Sequence, residues 1–351
     1  MAGGSGTRLW PLSRKDRPKQ LVRLIGGKSL LRQSFERLAA ILPADRIHVI
    51  AGASHMTRVA EELPEIPASN LMGEPVGRDT ANAVALAAAI LHHRDRSAVM
   101  GIFTADHVIR PIERFTRAVS LAFDVAAEHP DALLTIGVKP RSPETAFGYV
   151  HRGRPRGEGV YDVERFTEKP DAETARQYVD SGDYYWNSGN FVWTTTAILT
   201  ELKRHLPESH AGVMRIAEAW DTPDRNRVAA EIYPTLERVS IDYAVMEKAA
   251  RVMVVEMDCH WVDVGTWAQL ATVLDVDRHG HVSAARRAIH HDSSNVITVC
   301  EDGSHLIATM GVDDLIVIHS PDATLVCRRD QSQSLKDLVA RIVETYGDEY
   351  V

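Results

Sequence analysis

The chain has 351 residues, of which 44% are hydrophobic and 25% are charged, and its formal net charge at pH 7 is -8. This is the composition of a globular protein with room for one large and one small domain, or for two ordinary ones. The acidic balance argues against a nucleic-acid partner, because such binding needs a concentrated basic surface. No run approaches 18 uninterrupted apolar residues, so a transmembrane helix is not expected.

Three cysteines, Cys259, Cys300 and Cys327, are widely spaced and odd in number. They match neither a disulfide framework nor a zinc-binding spacing. The first residues also lack the basic and then apolar pattern of a signal peptide. The expected location is therefore the reducing cytoplasm.

Strands and helices alternate along the first 140 residues. The predicted elements are a helix at 28–42, a strand at 46–51, a helix at about 80–94 with Asp79 or Thr80 as its N-cap, a strand at 98–103, a helix at about 112–128 and a strand at 132–138. This alternation predicts an α/β fold built from βαβ units, with a Rossmann-like, mostly parallel sheet. Ligands of such sheets bind at the C-terminal edge of the strands.

The rest of the chain is more mixed. A hairpin leads to Glu168, and a helix near 171–181, a strand around 190–193 and three or four helices follow. From about residue 282, short strands at 295–299, 315–318 and 323–326 precede a final helix at about 333–345. We predict a main domain at 1–275 and a small β-rich, β-helix-like domain at 282–351. No strict hexapeptide repeat is present, so an acyltransferase-type solenoid is not indicated.

The segment Gly3-Gly4-Ser5-Gly6-Thr7-Arg8 has the residue types of a phosphate-binding loop. It is not a Walker A loop, and it lacks the third glycine of a dinucleotide fingerprint. Glycines let backbone N–H groups approach phosphates closely, and an arginine forms forked hydrogen bonds with phosphate oxygens. Lys19, in the turn Pro18-Lys19-Gln20, adds a compact charge suited to a pyrophosphate. Together these residues predict a nucleoside-triphosphate site.

The position of this loop in the chain is unusual. Glycine-rich phosphate loops normally follow a buried strand, whereas this loop begins at residue 3. We therefore expect the natural start to lie upstream, and a poorly anchored loop if residue 1 is the true start.

The loop, its extension Trp10-Pro11-Leu12-Ser13-Arg14 and the Pro18-Lys19-Gln20 turn resemble the signature of the sugar-1-phosphate nucleotidylyltransferases. The extension is similar to that of the mannose-1-phosphate guanylyltransferase branch. Further blocks with the family's residues follow in the family's order at 73–82, 104–107, 166–170, 186–191, 240–248 and 261–267. The last 70 or so residues resemble the family's short β-rich tail less specifically.

The resemblance implies a reaction in which GTP and mannose 1-phosphate give GDP-mannose and pyrophosphate. An oxygen of the sugar phosphate attacks the α-phosphorus in line, so the main tasks are alignment and charge neutralisation. It also implies catalytic roles for Arg8 and Lys19, which would hold the triphosphate and stabilise the leaving pyrophosphate. Asp106 and Asp263 are implied ligands of Mg²⁺, an ion that prefers oxygen ligands.

The resemblance implies two sets of binding residues as well. Glu74 suits guanine, whose N1–H and N2 amino groups are donors. The nucleotide set comprises Gly3, Gly4, Ser5, Gly6, Thr7, Glu74, Gly77, Arg78 and Asn82, and the sugar-phosphate set comprises Gly148, Glu168, Lys169 and Asn187. Asp242 is interpreted instead as an N-cap, and His107 as a neighbour of the metal ligands.

Two alternatives to this function stay open. One is a guanylyltransferase for another sugar 1-phosphate, such as a heptose or fucose derivative. The other is a non-catalytic sugar-nucleotide sensor of the same fold. The charged residues Arg8, Lys19, Asp106, Lys169 and Asp263 argue against the sensor, because decayed enzymes tend to lose phosphate and metal contacts. The C-terminal strands and last helix are compatible with a homodimer.

Overall fold

The computed structural model describes residues 1–3 and 6–351. The strands are β1 (Arg23–Ile25), β2 (Lys28–Ser29), β3 (Val49–Gly52), β4 (Leu71–Glu74), β5 (Val99–Ile102), β6 (His107–Arg110), β7 (Leu133–Val138), β8 (Tyr149–Gly157), β9 (Val160–Thr167), β10 (Tyr184–Thr194), β11 (Val252–Met257), β12 (His260–Asp263), β13 (Val282–Ala284), β14 (Ala288–His291), β15 (Ile297–Cys300), β16 (Ile307–Met310), β17 (Leu315–Ser320) and β18 (Ala323–Arg328).

The α-helices of the described residues alternate with these strands in the first half of the chain and cluster in the middle. They are α1 (Leu30–Ala39), α2 (Met56–Glu62), α3 (Asp79–Arg94), α4 (Ile112–Glu128), α5 (Ala172–Ser181), α6 (Thr195–His205), α7 (Pro207–Trp220), α8 (Arg225–Ile232), α9 (Trp267–Ala271) and α10 (Leu335–Tyr346). Among the residues described, no helix has both the length and the apolar character needed to cross a membrane.

The central sheet has six strands in the order β5-β10-β7-β11-β9-β8. β7 and β11 pair in parallel, whereas β10 runs antiparallel to both β5 and β7, and β8 and β9 form an antiparallel hairpin. β3 and β4 form a separate parallel pair. The predicted Rossmann-like α/β class is confirmed, but the central sheet is mixed rather than mostly parallel. Apolar periodicity identifies a strand without giving its direction.

Helices cover both faces of the central sheet. Because successive strand residues point to opposite faces, Leu133 and Val254 join the core formed with α3, α6 and α7. Leu134 and Val255 join the core formed with α4. This packing fixes the ends of the inner strands, from which the loops of the candidate site extend.

The structure refines one predicted helix start. Neither Asp79 nor Thr80 is the N-cap of α3, because Arg78 occupies that position and Asp79 is the first helical residue. Asp79 has a left-handed backbone (φ 64°). Its carboxylate accepts a hydrogen bond from the Thr80 backbone N–H at 2.8 Å. The Asp79 carboxylate therefore hydrogen bonds to a backbone N–H of the first helical turn, but Asp79 is the first helical residue rather than the N-cap.

The elements from residue 282 onward, called the C-terminal domain below, confirm the predicted β-rich domain. β13, β15 and β17 pair in parallel in one sheet, and β14 and β16 pair in parallel in another. The chain alternates between these two sheets and so coils like a β-helix. The coils differ in length, since Val282 pairs with Ile297 and Ile297 pairs with Ile316. Unequal coils explain the lack of a hexapeptide repeat.

The C-terminal domain shares a hydrophobic core with residues that follow the glycine loop. Leu9, Trp10 and Trp267 lie in one cluster with Ile297 and Ile316 of the C-terminal domain. The Trp267 indole N–H donates a hydrogen bond to the Trp10 backbone carbonyl at 3.0 Å. The segment after the loop is therefore buried between the two parts of the molecule.

The first residues are hydrogen bonded on two sides. The Ala2 backbone N–H donates to the Ile50 carbonyl of β3, and the Ala105 N–H donates to the Met1 carbonyl, each at 2.9 Å. The Gln20 side-chain amide donates to the Gly3 carbonyl. These contacts anchor the start of the glycine loop.

We expect Ile316→Ala to lower the free energy of unfolding by about 2–5 kcal/mol, because the side chain is fully buried in the shared core. Val326 on the neighbouring strand is 59% exposed, so Val326→Ala should change stability by less than about 0.5 kcal/mol. Guanidinium denaturation followed by tryptophan fluorescence measures both. An unchanged midpoint for Ile316→Ala would contradict the shared core.

Candidate active site

The centre of the candidate site is a lysine between two aspartates. Lys19 follows Pro18 at the start of a short 3-10 helix, Lys19–Leu21. Asp106 precedes β6 and Asp263 ends β12, and the antiparallel pairing of these strands places Asp263 opposite His107. The Lys19 Nζ lies 2.6 Å from Asp106 Oδ2 and 3.6 Å from Asp263 Oδ1. The structure thus brings together three residues that are far apart in the sequence.

This centre has the oxygen donors that a divalent cation requires. Ligand atoms of Asp106, His107 and Asp263 all lie within 4.8 Å of one another. Asp263 Oδ1 is buried and has no hydrogen-bond partner among the described residues, which leaves it available to a cation. His107 Nδ1 accepts a hydrogen bond from the Trp261 indole at 3.2 Å, so the proton of the neutral ring is on Nε2. The two carboxylates are therefore the fitting ligands.

The charges at this centre stabilise one another. Burial opposes ionisation of Asp106, but the adjacent Lys19 ammonium holds the pKa of this carboxyl below its usual value. Burial likewise opposes the charge of Lys19, yet Asp106 and Asp263 raise the lysine pKa. Burial lowers the pKa of His107, which keeps the ring neutral. At neutral pH the centre thus contains one ammonium and at least one carboxylate.

Gly6 of the glycine loop packs directly against the Lys19 turn. Gly6 has a left-handed backbone (φ 61°), and a Cβ at this position would lie 2.6 Å from Lys19 Cβ. Only glycine satisfies both conditions. Thr7 begins a short 3-10 helix, Thr7–Leu9, for which Gly6 is the N-cap. Of the other predicted loop residues, Gly3 has open space where a Cβ would be, and Gly4 and Ser5 lie outside the described residues.

Arg8 lies at the surface. Its Nη1 donates a hydrogen bond to Gln333 Oε1 at 2.9 Å. A Cβ at Gly265, two residues after Asp263, would lie 3.9 Å from Arg8 Nη2. The arginine is therefore beside the metal-ligand candidates.

The residues predicted to bind the base lie around the end of β4 and the start of α3. Glu74 ends β4, its Oε1 accepts a hydrogen bond from the Tyr233 hydroxyl at 2.6 Å, and burial raises its pKa. Gly77 has open space where a Cβ would be. The Arg78 guanidinium donates to the Pro234 carbonyl.

Asn82 is more enclosed than the sequence indicates. It is fully buried in α3, and its amide N–H groups donate to the carbonyls of Arg78 at 3.1 Å and Glu237 at 2.5 Å. Its Oδ1 is buried and has no hydrogen-bond partner within the part of the chain that the structure describes. These bonds join the start of α3 to the segment after α8.

The predicted sugar-phosphate residues meet at one place. A Cβ at Gly148 would collide with Glu168 Oε2, and the Gly148 carbonyl accepts a hydrogen bond from the Asn187 backbone N–H at 2.8 Å. Lys169 Nζ forms an ion pair with Glu168 Oε1 at 2.7 Å. Glu168 Oε2 is buried without a hydrogen-bond partner in residues 1–3 and 6–351. This oxygen is available to accept a hydrogen bond from a ligand hydroxyl.

Asp242 belongs to this group, and its interpretation as an N-cap is wrong. It is the first residue of a π-helix, Asp242–Met246, rather than the residue that precedes a helix. Its Oδ1 accepts a hydrogen bond from Asn187 Nδ2 at 2.8 Å. Burial and the charge of Glu168 raise the Asp242 pKa to about 6. An acid within the otherwise apolar run 241–246 is the sequence signal for a buried carboxylate.

The sugar-phosphate residues are next to the metal-ligand candidates. The Trp186 ring, beside Asn187, lies 6.2 Å from the Trp261 ring, which precedes Asp263 by two residues. The Thr104 backbone N–H, close to Asp106, donates to Asn190 Oδ1 at 3.3 Å. The segments that carry the two groups of charged residues therefore pack beside each other.

Comparison with known proteins agrees with this geometry. The pattern of the nucleotidyl transferase family matches residues 1–279, and that of the mannose phosphate isomerase/GMP-like β-helix domain matches residues 286–342. A mannose-1-phosphate guanylyltransferase of Klebsiella pneumoniae is 37% identical over 359 residues, which cover 100% of this chain and 74% of the relative. One of Escherichia coli K12 is 39% identical over 352 residues, which cover 97% and 72%.

A solved structure is similar over almost the whole chain. It is a Thermus thermophilus protein described as a mannose-1-phosphate geranyltransferase. The two chains are 32% identical and superpose with a TM-score of 0.86, over 97% of this chain and 99% of the other.

The raised pKa of Asp242 predicts a pH-dependent stability. A native carboxyl with a raised pKa binds a proton that the unfolded chain has already lost, so the contribution of Asp242 to the free energy of unfolding decreases as the pH rises from 4 to 7. Asp242→Asn keeps an oxygen acceptor for Asn187 but cannot ionise. We expect this variant to become more stable relative to the wild type as the pH rises. Thermal melts between pH 4 and 7 measure the difference.

The exposed Asp124→Asn provides the control for these melts, because Asp124 lies on the surface of α4. Its difference from the wild type should stay constant over the same range. A constant difference for Asp242→Asn as well would contradict the buried titration.

Proposed function

The chain belongs to the nucleotidyl transferase family, and we propose that it transfers GMP from GTP to mannose 1-phosphate, releasing pyrophosphate. The main support for the proposal is that Lys19 forms ion pairs with Asp106 and Asp263 beside Gly6 of the glycine loop. The relatives named as mannose-1-phosphate guanylyltransferases support the choice of sugar and base.

The triphosphate side depends on positive charge and backbone donors. Arg8 and Lys19 hold the phosphates of GTP and neutralise the charge that develops on the leaving pyrophosphate. Gly3, Gly4, Ser5, Gly6 and Thr7 supply backbone N–H groups at close range. Asp106 and Asp263 would hold Mg²⁺, which supplies charge neutralisation at the phosphate oxygens when bound. No protein nucleophile is needed, because the sugar phosphate is itself the attacking group.

The base is recognised at the end of β4. The Tyr233 hydroxyl occupies Glu74 Oε1, which leaves Oε2 to accept hydrogen bonds from the donors on the Watson–Crick edge of guanine. Gly77 and Arg78 lie in the same segment, and Gly77 leaves space for the base. Asn82 supports this base site without contacting the base, because its side-chain amide donates a hydrogen bond to the Glu237 carbonyl and so links α3 to the segment after α8.

The acceptor sugar lies against the Gly148 backbone. Glu168 Oε2, which is buried and unpaired among the described residues, accepts a hydrogen bond from a sugar hydroxyl, and Lys169 binds the phosphate. Asn187 also contacts the sugar hydroxyls. The Asn187 amide is oriented by Asp242 on one side and by Thr135, whose hydroxyl donates to Asn187 Oδ1 at 3.2 Å, on the other. This fixed orientation aligns the sugar phosphate for in-line attack.

The setting of the enzyme is part of the proposal. The acidic net charge supports the absence of a nucleic-acid partner, and three free cysteines support a cytoplasmic location. Leu338, Val343 and Tyr346 of α10 are exposed, which supports a homodimer through this helix. Sedimentation of the wild type and of Tyr346→Glu tests that assembly.

Pyrophosphate release with GTP, Mg²⁺ and a panel of sugar 1-phosphates tests the substrate assignment. We expect mannose 1-phosphate to give the highest kcat/KM. A preference of about tenfold for another sugar, such as a heptose or fucose derivative, would instead establish the alternative guanylyltransferase. Lack of release with every sugar would leave the non-catalytic sensor.

We expect Lys19→Ala and Asp263→Asn each to lower kcat by at least about a hundredfold, because each removes charge that stabilises the transition state or holds the metal. Lys28→Ala is the matched control, since Lys28 pairs with Glu36 at the surface and 52% of its side chain is exposed. The same pyrophosphate assay measures all three. Near-wild-type turnover of either site variant would reject its assigned role.

A further inference from the structure

The C-terminal domain contacts the nucleotide segment, defined as residues 6–23, through its polar side chains as well as through the shared core. Arg17 forms two hydrogen bonds with the Glu301 carboxylate, at 2.5 and 2.6 Å. Arg14 Nη2 forms an ion pair with Asp322 at 2.7 Å. Gln333 accepts the hydrogen bond from Arg8 described above. The segment that contains Arg8 and Lys19 is therefore held from outside the family's catalytic region.

The Glu301 contact has the geometry of a strong ion pair. The pairing with Arg17 is bidentate, and the side chains of Arg17 and Glu301 are only 30% and 24% exposed. Glu301 Oε1 also accepts a hydrogen bond from the Arg23 backbone N–H at 3.1 Å. Fork-shaped pairing restricts direction as well as distance. A single carboxylate thus holds the nucleotide segment on both sides of Lys19.

The Arg14 contact is a second ion pair between the same two parts of the chain, formed by one guanidinium nitrogen with a carboxylate whose side chain is 48% exposed. The Arg14 side chain is 13% exposed, and its Nε donates to the Pro11 carbonyl at 2.6 Å. Asp322 in turn accepts a hydrogen bond from the Ser320 hydroxyl at 3.0 Å, which orients the carboxylate. Arg14 and Arg17 also form a local β-bridge. The two ion pairs therefore hold the same turn, residues 14–17, which leads directly into Pro18 and Lys19.

We propose that the C-terminal domain positions the nucleotide site, with Glu301, Asp322 and Gln333 acting through Arg17, Arg14 and Arg8. This inference rests on the proposed function. The three residues are positioning residues rather than catalytic ones. Gln333 engages one nitrogen of the Arg8 guanidinium and leaves the others for phosphate oxygens. A displacement of Lys19 or Arg8 by about 1 Å is enough to cost up to about a hundredfold in rate.

The test uses Glu301→Gln, Asp322→Asn and Gln333→Ala in the full chain. We expect kcat/KM for GTP to fall at least about tenfold in Glu301→Gln combined with Asp322→Asn, and by a smaller factor in Gln333→Ala. The KM for mannose 1-phosphate should stay within about twofold, because Gly148, Glu168 and Asn187 lie on other elements. This split between substrates distinguishes positioning from general destabilisation.

Asp330→Asn is the matched control. Asp330 lies in the same short 3-10 helix as Gln333 and forms an exposed ion pair with Arg328 at 2.7 Å, so its loss removes an ion pair of this domain in which no residue of the nucleotide segment takes part. Both kinetic constants should be unchanged in this variant. The charge exchange Arg17→Glu with Glu301→Arg rebuilds the ion pair but not the hydrogen bond from the Arg23 N–H. A kcat/KM for GTP above that of Arg17→Glu alone would show that the ion pair itself contributes.

Two kinetic results would overturn the inference. One is an unchanged kcat/KM for GTP in the combined variant. The other is a rise in the KM for mannose 1-phosphate as large as the rise in the KM for GTP, together with a lowered Tm, which indicates general destabilisation. Calorimetric binding of GTP to the same variants separates this inference from the proposed function, because weakened GTP binding supports positioning whichever sugar is the acceptor.

Discussion

The site depends on the ion pairs that Lys19 forms with Asp106 and Asp263. The Lys19 ammonium and the Asp106 carboxylate are largely buried, and each charge would be costly in isolation. They are stable here because they neutralise each other, with the more exposed Asp263 adding a second negative charge. The pairing requires Gly6, since a Cβ there would collide with the lysine side chain. It also requires the register of β6 and β12, which sets Asp263 opposite His107. The glycine loop, two strands and a turn thus converge on one set of charges.

The surroundings of this centre explain why its parts stay in place. The mixed sheet and its two helical layers fix the strand ends that lead to Asp106 and Asn187. The nucleotide segment contains two short 3-10 helices and one isolated β-bridge, and it packs between Trp267 and the C-terminal domain. Rigid support from a distant part of the chain compensates for this limited local structure. A β-helix is well suited to this, because its coils are hydrogen bonded to one another.

Local patterns predicted much of the fold. The predicted helix at 112–128 matches α4, since its apolar periodicity is unbroken and its start follows a proline. Strand direction was not predictable, because it depends on which strands become neighbours. The burial of Asn82 and the environment of Asp242 were missed for a related reason. Their partners, Glu237 and Asn187, are far away in the sequence.

The sequence alone was enough to identify the class of reaction and the residue types that take part in it. The glycine loop, Lys19 and the ordered family blocks identify a nucleotide-sugar enzyme, because these residue types and spacings reflect local backbone geometry and charge. Only the tertiary structure decided that Lys19 meets Asp106 and Asp263, and that Gly148, Glu168 and Asn187 lie in contact with one another. It also revealed Glu301 and Asp322 beside the nucleotide segment. Such contacts arise from sheet pairing and domain packing, which no local pattern encodes.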